Sequence, residues 1–370
     1  HWRSPAPTFS GFVAGAALFL FAPVAIAQNL WQLNGVPVCL LPECAALDVT
    51  IAPDDSGGVF VLYRRDINGN DDLYLKHVLA DGQLDPRWPL SGVPATLEPH
   101  AQYARDMVAD GLGGVYVVWE DWRGGIDFYA QHLLADGSVA SGWPADGVPV
   151  VAAPGTQEDV RLLPDGMGGV YASWSDPRSG VYKVFATRIQ YDGQIAPGWL
   201  ANGSPISTEP GYSIASIMAS GGASGMLIAW FDHRGGGSIY AQHLMPGGEV
   251  APGWQTNGML VMAGPPSGYI VGMVPDGLGG AYLGIDYGPD FEHDAYLTHF
   301  TGQGVVAPGW PANGVAACAT TNSQIPRSLA SDGQGGVLFT WTDYRPGGQG
   351  VYAIRVLPDG SRAPGWQPCG

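Results

Sequence analysis

Four short stretches carry residue types that could do chemistry: Asp121/Arg123, Asp176/Arg178, Asp232/Arg234 and Asp343/Arg345. An arginine offers a planar fork of donors that suits a carboxylate or an acidic sugar. The residue inside each pair varies, as Trp122, Pro177, His233 and Tyr344, and variable aromatics on loops of one face can stack against sugar rings. The plainer reading is that each aspartate braces its own loop and pairs with its own arginine. Exposed pairs contribute only about 0–1 kcal/mol, and recurrence at one phase is what a structural element produces. The ligand-binding candidates are thus Trp122, Arg123, Arg178, His233, Arg234, Tyr344 and Arg345.

A fifth stretch breaks the pattern. Residues 66–72 read DINGNDD and replace Asp-x-Arg. Asp66, Asn68, Asn70 and Asp72 place oxygen side chains at every second position, which can wrap a hard cation such as calcium. The glycine expected after the third ligand is absent, since Gly69 comes two residues early. The alternative is an Asn-Gly turn with solvated acids. Asp286, Asp290, Glu292 and Asp294 cluster with poorer spacing.

Other candidates are weaker. His77, His132, His243 and His299 share one phase, with Arg188 and Arg355 as equivalents. A polar outer-strand position explains them better than a metal does. Neither G-x-S-x-G nor H-E-x-x-H occurs, so the familiar hydrolytic signatures are missing. Arg105, Arg161 and Arg327 precede or lie on the first strand of three repeats and could converge. With a Tyr–Glu pair beside them they would support a glycan-active enzyme.

These residues are set out by a repeat. The phrase DGLGGVYVVWEDWR at 110–123 returns at 165–178 and 332–345, with a changed opening at 220–234 and degraded at 54–66 and 276–290. Its second turn glycine falls at Gly58, Gly114, Gly169, Gly225, Gly280 and Gly336, spaced by 55 or 56 residues. Trp31, Trp88, Trp143, Trp199, Trp254, Trp310 and Trp366 form a second series; Tyr74, Tyr129, Phe185, Tyr240, Tyr296 and Tyr352 form a third. Three series in phase mean six repeats.

The second repeat predicts four strands: Arg105 to Ala109, Val115 to Trp119, Asp127 to Leu134, and Ser138 toward Trp143, with Asp136-Gly137 as a tight hairpin signal. The strand Val-Tyr-Val-Val-Trp is apolar on both faces, so both faces are covered. Four short strands covered on both sides and repeated six times predict an all-β, six-bladed β-propeller with four-stranded blades of 55–56 residues. A solenoid coil is usually shorter, at roughly 20–30 residues, and separate domains of this size would be marginal.

Composition limits the function. The net charge is −17, from 33 acidic and 16 basic residues, and such a surface repels nucleic acid. Residues 1–27 read as a signal peptide: Arg3, a charge-free apolar run at 11–27, and Ala25-Ile26-Ala27 before Gln28. With the signal removed no membrane span is expected. Cys39, Cys44, Cys318 and Cys369 are an even count in an exported chain, which favours disulfides. Cys39–Cys44 with Cys318–Cys369 is one expectation; ring closure could equally bring Cys39 to Cys369. The propeller spans 28–370. Trp31 to Val38 matches Trp143 to Val150 in phase, so this segment either completes the last blade or further domains follow Gly370.

The phrases D-G-x-G-G-x-x-x-x-W-x-D-x-R, Y-A-Q-H and G-W-x-x-N-G-V together resemble the repeat of exported bacterial propeller proteins, over Trp31 to Gly370. Sialidase-type propellers are more distantly similar, because Trp119 comes too late after Asp110 for their box. With the signal peptide, this leads to the expectation of a monomer that is secreted, periplasmic or on the surface of a bacterium. It would act as a binding or scaffold module for a protein or carbohydrate ligand, with calcium as its one candidate cofactor; a sialidase-like enzyme is the alternative.

Overall fold

The computed structural model describes residues 35–39, 41, 44, 49–67, 69–264, 268–288, 293–318, 323–345 and 348–370. The expected signal peptide at 1–27 lies outside them. The described chain is all-β apart from one 3-10 turn at Gly222–Ser224. No helix among the described residues is long and apolar enough to cross a membrane.

The strands form six antiparallel sheets in chain order. Sheet 1 holds β1 (Thr50–Pro53), β2 (Val59–Ile67), β3 (Asn70–Val78) and β4 (Val93–Pro94). Sheet 2 holds β5 (Gln102–Ala109), β6 (Val115–Asp121), β7 (Asp127–Leu133) and β8 (Val148–Val151). Sheet 3 holds β9 (Glu158–Pro164), β10 (Val170–Asp176), β11 (Lys183–Ile189) and β12 (Ser204–Pro205). Sheet 4 holds β13 (Ser213–Ser220), β14 (Met226–Asp232), β15 (Ser238–Leu244) and β16 (Met259–Ala263). Sheet 5 holds β17 (Gly268–Pro275), β18 (Ala281–Tyr287), β19 (Asp294–Phe300) and β20 (Val315–Ala316). Sheet 6 holds, among the described residues, β21 (Gln324–Ser331), β22 (Val337–Asp343) and β23 (Gly350–Val356). Six sheets of three or four strands match the six repeats. The leading strands pack side by side in order: β1 with β5, then β9, β13, β17 and β21.

One strand departs from the sequence expectation. Ser138 to Trp143 is not a strand; its hairpin makes the single bridge Leu133↔Val139. The fourth strand is Val148–Val151, where Ala130 pairs with Val148. The reason is Trp143, whose buried indole donates from Nε1 to Tyr191 O of the next sheet at 2.8 Å. Anchoring that ring turns the chain out of the ladder before pairing can resume.

The cores lie between sheets. Trp88 and Trp119 pack with residues of sheets 1 and 2, and Trp143 and Trp174 with sheets 2 and 3. Trp199 and Trp230 do the same for sheets 3 and 4, and Trp310 and Trp341 for sheets 5 and 6, while Trp254 packs with Ile285 between sheets 4 and 5. Trp119, Trp174, Trp230 and Trp341 are each 0% exposed, as both-face coverage of the second strand requires. The other tryptophan series ties neighbours together: Trp88, Trp199, Trp254 and Trp310 each donate to a carbonyl one sheet on, at 2.9–3.1 Å. The hairpin glycines make room for these rings. A Cβ on Gly137, at φ +81°, would lie 3.1 Å from Trp88 Cδ2.

Candidate functional site

The Asp-x-Arg loops form a knot around the buried tryptophan. Asp121 Oδ2 accepts from Trp119 Nε1 at 2.8 Å and from Arg123 Nη2 at 2.7 Å; Oδ1 accepts from the Arg123 backbone N–H and Nε. Arg123 also donates to Asp146 O, and its guanidinium lies 3.7 Å over the ring of Tyr129. Arg178, Arg234 and Arg345 repeat the Nη2–Oδ2 pairing with Asp176, Asp232 and Asp343, over Phe185, Tyr240 and Tyr352. All three repeat series are thereby linked: the tryptophan, the acid–base pair and the third-strand aromatic are one unit. Burial pushes the Asp121 carboxyl up, but Arg123 and the indole N–H outweigh it and hold it below the ordinary range. The four arginines are each occupied locally, on different sheets.

The aromatics of these loops differ in exposure. Trp122 is 48% and Tyr344 44% exposed. Trp122 donates to Glu120 Oε1 at 2.9 Å and meets Tyr103, whereas His233 stacks on Tyr212 with centroids 3.5 Å apart.

The histidine series lies on the third strands, as expected, and is buried there. His77, His132 and His299 are buried and bond the aspartate of the glycine turn: His77 Nε2 to Asp54, His132 Nε2 to Asp110, His299 Nε2 to Asp276. Arg188 and Arg355 do the same for Asp165 and Asp332. Asp110 Oδ1 also accepts from the N–H groups of Leu112 and Gly114. A carboxylate that caps its own turn is left with one oxygen facing the third strand, and a cation or imidazole meets it there.

The candidate calcium loop is a hairpin tip. Asp66 pairs across the ladder with Asp71, and Ile67 with Asn70. Side chains alternate between faces along a strand, so Asp66 shares a face with Asp71, and Asn70 and Asp72 take the other. Asp66 Oδ1 accepts from Gly69 N–H, and Asn70 Nδ2 donates to Asp72. Asn68 lies outside the described residues, as do Asp290 and Glu292 of the second acidic cluster. No group of three metal-ligating side chains occurs among the described residues.

The leading strands bring together what no single repeat holds. A cavity of about 280 Å³ is lined by Asp159 and Arg161 of β9, Ser216 of β13, and Tyr269 of β17. Asp159 also lines an adjoining cavity with Arg105, Glu120 and Glu158. Arg105 is ion-paired with Glu120. Tyr182 Oη donates to Glu158 Oε1 at 2.8 Å, and this contact pushes the tyrosine hydroxyl's pKa up. Two of the three arginines noted in the sequence, Arg105 and Arg161, therefore line two cavities that share Asp159, and Glu158, which accepts from Tyr182, lines the one with Arg105. Arg327 instead donates from Nε to Thr342 Oγ1.

The strands are irregular at this place. Each of β5, β9, β13, β17 and β21 shifts register against its second strand there. A bulge re-aims side chains. Asp159 and Ala215 adopt φ +56° and +55°, rare for residues with a Cβ, and strain of this kind gathers at functional sites. The sequence reading missed Asp159, Glu158, Tyr182, Ser216 and Tyr269. A signal existed in the repeat register: opposite the residue before the buried tryptophan, or before Ile285 that replaces it in sheet 5, stand Asp106, Arg161, Ile217, Gly272 and Ser328. Variation at a position the fold holds constant marks a place where something other than the fold chooses the residue.

No family model matches the chain, and no curated protein matches it. Among solved structures, an ulvan lyase from a polysaccharide lyase family, bound to a GlcA–Rha3S saccharide, is similar at 11% identity over 84% of this chain and 79% of that one, with a TM-score of 0.49. A protein of unknown function from Dyadobacter fermentans is 11% identical over 86% and 96%, TM-score 0.43. A thermostable family-43 glycoside hydrolase is 10% identical over 90% and 96%, TM-score 0.34. Likeness at this level assigns neither fold nor activity to the chain.

Proposed function

We propose that the six sheets are the blades of a closed six-bladed β-propeller, that the protein is exported, and that it binds a saccharide in the groove along its leading strands. Export is supported by the apolar run before Gln28 and by the pairing of all four cysteines, Cys39 with Cys44 and Cys318 with Cys369. The observation that carries the binding reading is the cavity shared by β9, β13 and β17. There Tyr269 is 63% exposed beside Asp159, Arg161 and Ser216. An exposed ring among convergent polar groups is what a sugar needs: its apolar face stacks and its hydroxyls bond to carboxylate and hydroxyl oxygens. In this reading the loop arginines brace the fold, and the exposed edges of Trp122 and Tyr344 extend the contact surface.

A binding screen of the mature chain against an oligosaccharide panel tests this. At least one saccharide should bind, and Tyr269→Ala should weaken it about tenfold. Tenfold corresponds to roughly 1.4 kcal/mol, within the range of an aromatic stacking contact. If no saccharide binds, the proposal fails.

A glycan-cleaving enzyme is the second reading, favoured by Tyr182 and Glu158 beside Arg105, Glu120 and Asp159. It requires release of reducing ends from a bound polysaccharide, with loss of that activity in both Tyr182→Phe and Glu158→Gln. Binding without turnover leaves the module reading in place.

A further inference from the structure

We infer that the saccharide proposed above is acidic, and that Arg161 reads its anionic group, a carboxylate or a sulfate ester. This rests on the groove being the binding site. The arginines of this protein mostly face its own acids. The chain carries 33 acidic residues against 16 basic ones. Arg87 pairs with Asp85, Arg105 with Glu120, Arg188 with Asp165 and Arg355 with Asp332, besides the four loop pairs.

Arg161 departs from this. It is exposed, and among the described residues its guanidinium has neither a hydrogen bond nor an ion pair, although it lines a cavity. The nearest acids do not engage it. Asp159 lines the same cavity but lies in no ion pair with it, its backbone turned by the positive φ. Asp106, whose charge Arg161 feels, faces the backbone instead: its oxygens accept from the N–H groups of Met107 and Leu162 at 2.9 and 2.8 Å. The bond from Leu162 ties sheet 2 to sheet 3, and the guanidinium fork stays open toward the cavity. Ser216 does not engage it either: its hydroxyl is turned to Ser173 Oγ, to which it donates.

An open guanidinium fork in a concave site matches a carboxylate or sulfate bidentately, and such charge-assisted bonds are about twice as strong as neutral ones. The surrounding negative field explains the need for this single cation. On a surface of net charge −17 an acidic ligand is repelled except where a free cation offsets the field. Tyr269 on β17 stands across the cavity from β9, so one sugar ring can stack there while its acidic substituent reaches Arg161.

The test uses isothermal titration of the mature chain with uronate tetrasaccharides, their fully methyl-esterified forms and sulfated neutral tetrasaccharides. Arg161→Ala and Arg161→Lys are compared with wild type, with thermal melts to confirm folding. An acidic tetrasaccharide should bind wild type at least tenfold more tightly than its neutral counterpart, and Arg161→Ala should erase that preference. Arg161→Lys should retain part of it. Whether the uronates or the sulfates bind identifies the anion. Equal binding of acidic and neutral forms, or an acidic preference that survives Arg161→Ala, would overturn the inference while the saccharide reading stands. Binding of none of the panel would overturn both.

Discussion

The indole N–H of Trp119 donates to Asp121 Oδ2 over 2.8 Å, and the same oxygen accepts from Arg123. A fully buried carboxylate thus joins the largest core side chain of a sheet to the arginine of its loop. Removing the carboxylate strands a buried N–H and a largely buried cation together. Asp121→Ala should cost about 3–5 kcal/mol, as for other broken buried pairs, and Asp121→Asn less, since it keeps an acceptor for the indole. Trp174→Ala, which empties the equivalent core, should cost about 3–5 kcal/mol. Urea unfolding measures both. A loss below 0.5 kcal/mol for Asp121→Ala would mean that the knot does not hold the loop.

Stability should fall in acid. Burial alone would raise the Asp54 carboxyl from 3.8, but His77, Ser56 and the Gly58 N–H outweigh it and hold it at about 2. A folded-state pKa below the unfolded one stabilises at all pH above about 4, and that contribution is lost as pH falls toward 2. The stability gap between wild type and Asp54→Asn should therefore shrink between pH 4 and pH 2 in urea titrations. A gap that stays constant across that range would contradict the depressed pKa.

Calcium should leave the melting temperature unchanged, because Asp66 and Asp72 stand on opposite faces of the β2–β3 hairpin. Melts in millimolar calcium and in chelator decide. A rise in calcium that Asp66→Ala abolishes would show that the tip rearranges around the ion.

Mass mapping of the unreduced protein should find Cys39 linked to Cys44 and Cys318 to Cys369. The second bond joins the end of sheet 5 to the turn after β23. Equivalent joints between earlier sheets are held by hydrogen bonds, from the Ala152 N–H to Asn202 Oδ1 and from the Thr208 N–H to Asn257 Oδ1. Reduction should lower the melting temperature. A Cys39–Cys369 peptide would require a different closure of the chain.

The number of sheets, the burial of four equivalent tryptophans and the both-face coverage of the second strands were legible in the sequence. Each follows from a local pattern repeated every 55 or 56 residues, and a pattern of that kind has only a few ways to bury its apolar faces. The fourth strand was misplaced because Val148–Val151 looks like a linker until Trp143 is seen anchored in the neighbouring sheet. The role of the histidines was hidden for a related reason. Their partners, the turn aspartates, lie 22 or 23 residues upstream, and nothing in the local sequence announces the pairing. The groove could not be read at all. Arg161, Ser216 and Tyr269 come from three repeats and meet only where β9, β13 and β17 lie side by side. Which side chains face a shared cavity depends on bulges that shift register by a residue, and register is set by packing across sheets, a property of the folded whole.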